Sequence, residues 1–590
     1  MRITLRIAAT VVVVLSIIAR FALGSGGQHA IAARVAIANT STDTPTSTST
    51  ATGTATASST ASATGTATTT GTATGTASAT GTATTTATGT ASTSVTPTTP
   101  SATASPTVTA TGTGTPPTST PTPSGAGSIA YFAEGYTGTA AVNGRATFTE
   151  SLNVLNPNGG VAQITITYYI QGTSAPLVVT KTIGANTTLR ESVNTDVGAD
   201  KFAAAVISSP QRVFATRTIL RTDASGARLD GSTTLPVKAP AANWGFPEGY
   251  TGVTFQQYLT VLNPGSVTAN VTILLAPQAA SSAGAKTLTL TVPPTSRATA
   301  NIRALNLDGS AKSVAMLISS DQPIVPERVI YFGDGAGSGK FGSTVSSGIT
   351  TPATQLRIAY ASSGGTATAD GGGVTAAGNQ EFITLLNPST AGNPVQVTAT
   401  FFGANGSSIG QAASVAVAPG TRQTIIANTA LGAAAVSQFS VVLNATGPIE
   451  AESAQYFNGS PNVGKHPGVA FPALSASYTD VFFSDLSTQL ADSTAVDRTV
   501  YLYNPGTVSI GVSATYFGGT GTTATANYTV PAGGIISADV GTDTGANIAP
   551  GPVGAEFKLT SGSAGTFIAY ATGRTADGLL AVEDVGLSAS

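Results

Sequence analysis

Apolar and polar residues alternate with a period of two ahead of a turn that occurs four times in this chain. Leu152 and Val154 flank Asn153, Leu259 and Val261 flank Thr260, Ile383 and Leu385 flank Thr384, and Val500 and Leu502 flank Tyr501. Such alternation predicts a strand with one face buried. Each run is closed by the same signature, Leu155-Asn156-Pro157, Leu262-Asn263-Pro264, Leu386-Asn387-Pro388 and Tyr503-Asn504-Pro505. Proline ends the strand because it donates no ladder hydrogen bond and turns the residue before it away from helix.

Further strands follow in the same order in every copy. The second is Ile164-Thr165-Ile166, Val271-Thr272-Ile273, Val397-Thr398-Ala399 and Val512-Ser513-Ala514, and a third recurs near Val178, Leu288, Val415 and Tyr528. A fourth follows a turn such as Pro419-Gly420, and two more close each copy, as in 202–208 with 213–220 and 314–319 with 324–332. With an opening strand near 129–132, this makes about seven strands in each repeat of roughly 110–120 residues, a size that can close its own core. The expected fold is all-β, four tandem Ig-like β-sandwich modules at 128–240, 241–353, 354–473 and 474–590, with an open barrel as the alternative. The cysteine–tryptophan core of antibody domains is missing.

The N-terminal part reads differently. Arg2 and Arg6 precede an apolar run, 7–18, that Arg20 interrupts. This predicts a signal peptide over 1–32, or an N-terminal anchor if uncleaved. Residues 33–127 are nearly all Thr, Ala, Gly, Ser and Pro, a composition that cannot bury enough surface to offset chain entropy. A disordered low-complexity stalk is expected there, either plain or O-glycosylated.

Composition narrows the chemistry. There is no cysteine and there are two histidines, while Asp, Glu, Lys and Arg together make up 9% of the chain. Thiolate chemistry and cysteine-ligated metals are excluded. No basic stripe offers itself to nucleic acid or to anionic lipid, so no membrane contact beyond the leader is expected. His466 lies in a Gly/Pro loop, and no nucleophile elbow, phosphate loop or metalloprotease motif occurs. No enzyme activity, cofactor or metal is expected. Asn194-Thr195-Asp196 and Asn306-Leu307-Asp308 supply too few oxygens for calcium and read as Asx turns.

The segments Phe132-Ala133-Glu134-Gly135-Tyr136-Thr137-Gly138 and Phe246-Pro247-Glu248-Gly249-Tyr250-Thr251-Gly252, together with Leu-Asn-Pro, resemble tandem surface modules of secreted proteins from filamentous bacteria. The resemblance spans 128–590, although the third and fourth modules lack the Glu-Gly-Tyr-Thr-Gly segment. It implies an extracellular, structural or adhesive setting and no established chemistry, and the expected function is a secreted or cell-surface structural or adhesive rod of four β-sandwiches carried on the stalk. Partners would be cell-wall, sheath or matrix polysaccharide, or other surface proteins.

Two expectations concern particular side chains. Glu134, Tyr136, Trp244, Glu248 and Tyr250 form a candidate ligand face, aromatic rings and carboxylates suited to a sugar, and the alternative function is carbohydrate binding through modules 1 and 2. Arg190, Arg217, Arg297 and Arg328 are candidates for structural ion pairs. Arg190 and Arg297 are taken as equivalent, and each Glu is expected to pair with an Arg of its own module.

Overall fold

The computed structural model describes residues 127–590, apart from 142–144, 227, 253, 279–283, 306–312, 334–339, 365–377, 433–435, 458–466, 577–580 and 589–590. The leader, the stalk, the 306–308 turn and His466 therefore lie outside the described residues.

The described chain is all-β, and each module layers two sheets over an apolar core. In module 1 one sheet runs in the order Ser128–Phe132, Ala203–Ser209, Ala162–Ile170, Leu177–Ile183. The second sheet places Arg145–Asn156 between Thr187–Ser192 and Phe214–Thr222, with Arg228–Thr234 at its far side. Ile164, Ile166 and Ala205 of the first sheet meet Leu152, Val154 and Ala215 of the second. Modules 2 and 3 repeat this layering with one change. The two strands expected at the end of each are a single strand, Val314–Phe332 and Val436–Tyr456, whose first half belongs to one sheet and second half to the other.

The Asn of the recurring turn is a clip between two strand ends. Asn156, wholly buried, donates through Nδ2 to the carbonyls of Gly160, Ile183 and Gly184, while its Oδ1 accepts from the Asn158 amide. Asn263 and Asn504 repeat this set on Val267, Val292 and Pro293 and on Val508, Val530 and Pro531. One amide side chain thus satisfies several carbonyls that the proline turn leaves without ladder partners.

The modules do not follow one another as an extended string. Each carries near its end a strand unforeseen in the sequence, Arg228–Thr234, Gly342–Ser347, Gly468–Pro472 and Ala581–Val585, the last followed by the short strand Leu587–Ser588. These four pack around one axis, first on second, second on third, third on fourth and fourth on first. The arrangement is a closed, propeller-like ring of four modules. Apolar packing crosses the module boundaries: Tyr131, Ala133 and Val237 join the core of module 2, and Tyr503, Ile568 and Tyr570 of module 4 join that of module 3. The expectation that each module closes a core of its own is corrected to that extent.

Candidate functional site

The chemistry of this chain is concentrated where one module meets the next, and four such contacts share one design. In modules 1, 2 and 4 the residue that follows the opening strand by two positions reaches into the neighbouring module, and in module 3 Tyr360, within the strand Ala353–Ser363, does so.

Between modules 1 and 2 that residue is Glu134, only 6% exposed. Its carboxylate accepts from Thr260 Oγ1 and, at 3.2 Å, from Arg297 Nη2, while Arg297 Nη1 donates to the Gly135 carbonyl at 2.7 Å. A second pair runs in the opposite direction: Arg217 of module 1 donates to Glu327 of module 2 at 2.9 Å, and the Glu134 amide donates to the same carboxylate at 2.5 Å. Between modules 2 and 3 the constellation repeats. Glu248 meets Arg422 at 3.3 Å, Arg328 grips Glu452 with both terminal nitrogens at 2.8 and 3.1 Å, and the Glu248 amide donates to Glu452 at 2.7 Å. Paired, bidentate geometry of this kind offsets the cost of burying charge.

The other two contacts use different chemistry at the same place. Between modules 3 and 4 the Tyr360 ring stacks on Tyr501 at 3.7 Å, with Tyr570 beside it. Between modules 4 and 1, Asp485 accepts from Asn153 at 3.1 Å and from Thr218 at 3.0 Å, Thr188 donates to the Ser484 carbonyl, and Phe482 stacks on Phe214 at 4.0 Å. Burial opposes the charge of Asp485, but Arg498, Arg190 and Ser487 outweigh it and hold the carboxyl below its usual range. The last module thus grips the first as the first grips the second, and this contact closes the ring.

The candidate ligand face is not a surface. Glu134, Tyr136, Trp244 and Glu248 are buried and Tyr250 is partly buried. Tyr136 stacks on Phe202 at 4.4 Å, Tyr250 lies edge-on to Phe255, and Trp244, 4% exposed, joins Tyr131 and Val237 across the first module boundary. Aromatic-plus-carboxylate clusters also build sugar sites, but here the rings pack in apolar clusters that span module boundaries. Four of the five candidate residues are therefore not presented to solvent as an open platform.

Arg297 and Arg328 meet carboxylates of the neighbouring module, and Arg217 hydrogen-bonds Glu327 of module 2 while also lying near Glu150 of its own module, so the pairing of Glu134 and Glu248 with an Arg of their own module is corrected. Glu248 meets Arg422 through its carboxylate, and only its backbone carbonyl accepts from Arg328. Arg190 is also corrected. Strand register sets Arg297 and Arg422 opposite Leu262 and Leu386, and the residue opposite Leu155 is Thr188, not Arg190. Arg190 instead donates to the Gln489 carbonyl of module 4 at 2.9 Å. Glu327, Glu452 and Asp485 were not foreseen. Asn194 and Asp196 sit in the short helix Val193–Val197, where Asn194 donates to the carbonyls of Thr137 and Phe148 and Asp196 accepts from Tyr168.

Glu150 adds a third carboxylate to the first ion cluster, with Oε1 3.9 Å from Arg217 Nε. Burial pushes its carboxyl up to about 8, against the pull of Arg217. An unfolded glutamate titrates near 4.3. The folded value is the higher one, so the stability contribution is complete below about pH 4 and is lost as pH rises through about 8. Glu450 is pushed up to about 8 as well, by burial and then by Glu452. Glu150→Gln should therefore flatten part of the fall in thermal midpoint between pH 5 and pH 9. Identical slopes for variant and wild type would show that Glu150 takes no part in it.

Among the described residues no three His, Asp or Glu side chains are grouped to hold a metal, and no helix is long and apolar enough to cross a membrane. No family model matches the chain, and no curated protein matches it. Among solved structures it is similar to Thermotoga maritima 1070, at 16% identity and a TM-score of 0.17, over 19% of this chain and 94% of that one. It is also similar to a tetra-tandem repeat in the extending region of a large adhesion protein, at 14% identity and a TM-score of 0.09, over 79% of this chain and 100% of that one.

Proposed function

We propose that this is a secreted or cell-surface structural or adhesive protein. Its leader directs export, its Thr-rich segment acts as a flexible, O-glycosylated or plain spacer, and its β-modules form a rigid ring presented outside the cell. Each module has the size and two-sheet layering of an Ig-like β-sandwich, and we keep that description for the single module. The ring replaces the extended rod that tandem modules suggest, so the mechanical element is compact. Its partners are polysaccharides of the wall, sheath or matrix, or other surface proteins.

The observation that carries this reading is the use of the chain's scarce charged residues. Arginines and carboxylates are spent on holding modules together, as in the pairs Glu134–Arg297 and Arg328–Glu452. Intact cells of the source culture treated with a nonspecific protease should release a fragment that begins near residue 128 and survives further digestion. Recovery of the protein only from the cytoplasmic fraction, with residues 1–32 still attached, would overturn the surface assignment.

A further inference from the structure

The first sheet of every module has one edge covered by the chain and one edge left open. The opening strand is covered by the segment that follows its module: Tyr131 pairs with Val237, Gly245 with Ile349, Arg357 with Leu474, and Val481 and Phe482 with Ser588 and Leu587. At the opposite edge lie Leu177–Ile183, Lys286–Val292, Ser408–Val417 and Thr523–Val530, and among the described residues each is laddered on one side only. An open edge offers a row of backbone donors and acceptors to any further strand, and stable proteins blunt such edges with inward-pointing charge or with bulges. From the one edge left unblunted we infer a self-association surface: Thr523–Val530 pairs antiparallel with the same strand of a second copy of this chain.

The other three modules show what blunting looks like in this fold. Lys181 and Lys286 stand at inward-facing positions of their edge strands, in phase with the buried Ile183 and Val292. A strand added beside either would have to accommodate an ammonium at the rim of the core. Ser408–Val417 carries no charge, but its pairing with Val395–Gly403 shifts register, and Gly410 has a φ of 62°. A bulge of this kind bends the edge out of line. Thr523–Val530 has neither device. It pairs with Ile510–Gly518 over eight consecutive residues without a shift, and it contains no charged residue, proline or glycine. Thr523, Thr525, Asn527 and Thr529 are exposed on its outer face. The short helix Val540–Thr544 meets it from the inward side, where Tyr528 donates to Asp543, and no backbone hydrogen bond joins that helix to the strand.

A second copy is the partner this strand fits, because the strand complements itself. A twofold axis through Ala526 sets Thr523 against Thr529 and Thr525 against Asn527 on the outer face, polar pairs with no like charges opposed. On the inward face the same axis sets Ala524 against Tyr528, small against large. One pair of eight-residue strands buries less than the about 1,200 Å2 of the smaller standard interfaces, so the pairing is weak and reversible. It is populated where copies are concentrated, and it holds wherever the protein resides, independently of the surface reading.

Sedimentation equilibrium of the full chain over a wide range of concentration tests this. A reversible monomer–dimer equilibrium is expected. Thr525→Lys combined with Asn527→Lys opposes like charges twice across the axis and should weaken the dimer about tenfold. Thr525→Glu combined with Asn527→Glu should weaken it alike. An equimolar mixture of the two variants should associate more tightly than either alone, since lysine then faces glutamate. All the substituted positions are exposed, so the fold tolerates the changes. Thr180→Lys combined with Thr182→Lys, on the blunted edge of module 1, should leave the equilibrium unchanged. The proposal is overturned if no dimer forms at any concentration, if the lysine variant dimerises as strongly as the wild type, or if the mixture associates no better than the lysine variant by itself.

Discussion

Arg328→Ala is expected to destabilise the junction of modules 2 and 3 by about 3–5 kcal/mol, the cost of leaving one partner of a buried ion pair alone. Arg328 has no exposed surface, grips both oxygens of Glu452 and also donates to the Glu248 carbonyl. Truncation leaves the Glu452 carboxylate in the interface with the Glu248 amide as its remaining polar contact across that junction. Urea denaturation of the full chain should show the first transition moved to lower concentration by that amount. Arg328→Met combined with Glu452→Met should recover most of the loss, because the burial penalty of both ions disappears with the pair. A loss below about 1 kcal/mol for Arg328→Ala, the range of an exposed pair, would contradict the burial described for it.

The second large effect is expected at Gly135. A Cβ added there would lie 2.2 Å from the Ala203 carbonyl oxygen and 2.8 Å from a carboxylate oxygen of Glu150. The carbonyl is fixed by the sheet, so the alanine must push the backbone of the Glu-Gly-Tyr segment outward and draw Glu134 away from Arg297. Gly135→Ala should cost about 3 kcal/mol, the upper range of overpacking a filled site. Gly249→Ala should behave alike, since its Cβ would meet the Val314 carbonyl at 2.1 Å. Gly159→Ala is the control, with open space around the added methyl and a change within about 0.5 kcal/mol. Thermal midpoints of the three variants decide the matter. Equal midpoints for Gly135→Ala and Gly159→Ala would show that close approach is not why this glycine recurs.

Much of the fold was legible because a half-buried strand writes its period into the sequence. Val154, Val261, Leu385 and Leu502, aligned on their Asn-Pro turns, are the inward residues of equivalent strands, and each is wholly buried. The short helices were missed, since four or five residues such as Ile302–Leu305 are too few to show a helical period. The axial strands were missed because Gly342–Ser347 is almost entirely small and polar, its burial coming from its neighbours around the axis and not from an apolar pattern. The ion pairs were half legible. Recurrence linked glutamate to arginine, but the expectation placed the partner in the same module. The signal was a shift by one module. Glu134 and Glu248 stand in modules 1 and 2, whereas Arg297 and Arg422 stand in modules 2 and 3. Arg217 and Arg328 are likewise offset from Glu327 and Glu452. A pair inside one module would share the same copies; a pair across a boundary is displaced by one. Closure of module 4 onto module 1 carried no comparable signal, because its Asp485, Phe482 and Asn153 belong to no repeated charge pattern.

The ring itself is tested most directly at that closing contact. The hydroxyls of Thr216 in module 1 and Ser484 in module 4 lie 2.9 Å apart in a buried setting, and the chain has no cysteine of its own. Thr216→Cys combined with Ser484→Cys in the full chain, oxidised at low protein concentration, should give a disulfide within one molecule. Its signature is a monomer that migrates faster than the reduced form on a denaturing gel and loses both titratable thiols. A chain that keeps both thiols free, or that cross-links only to a second molecule, would mean that the four modules do not close on themselves.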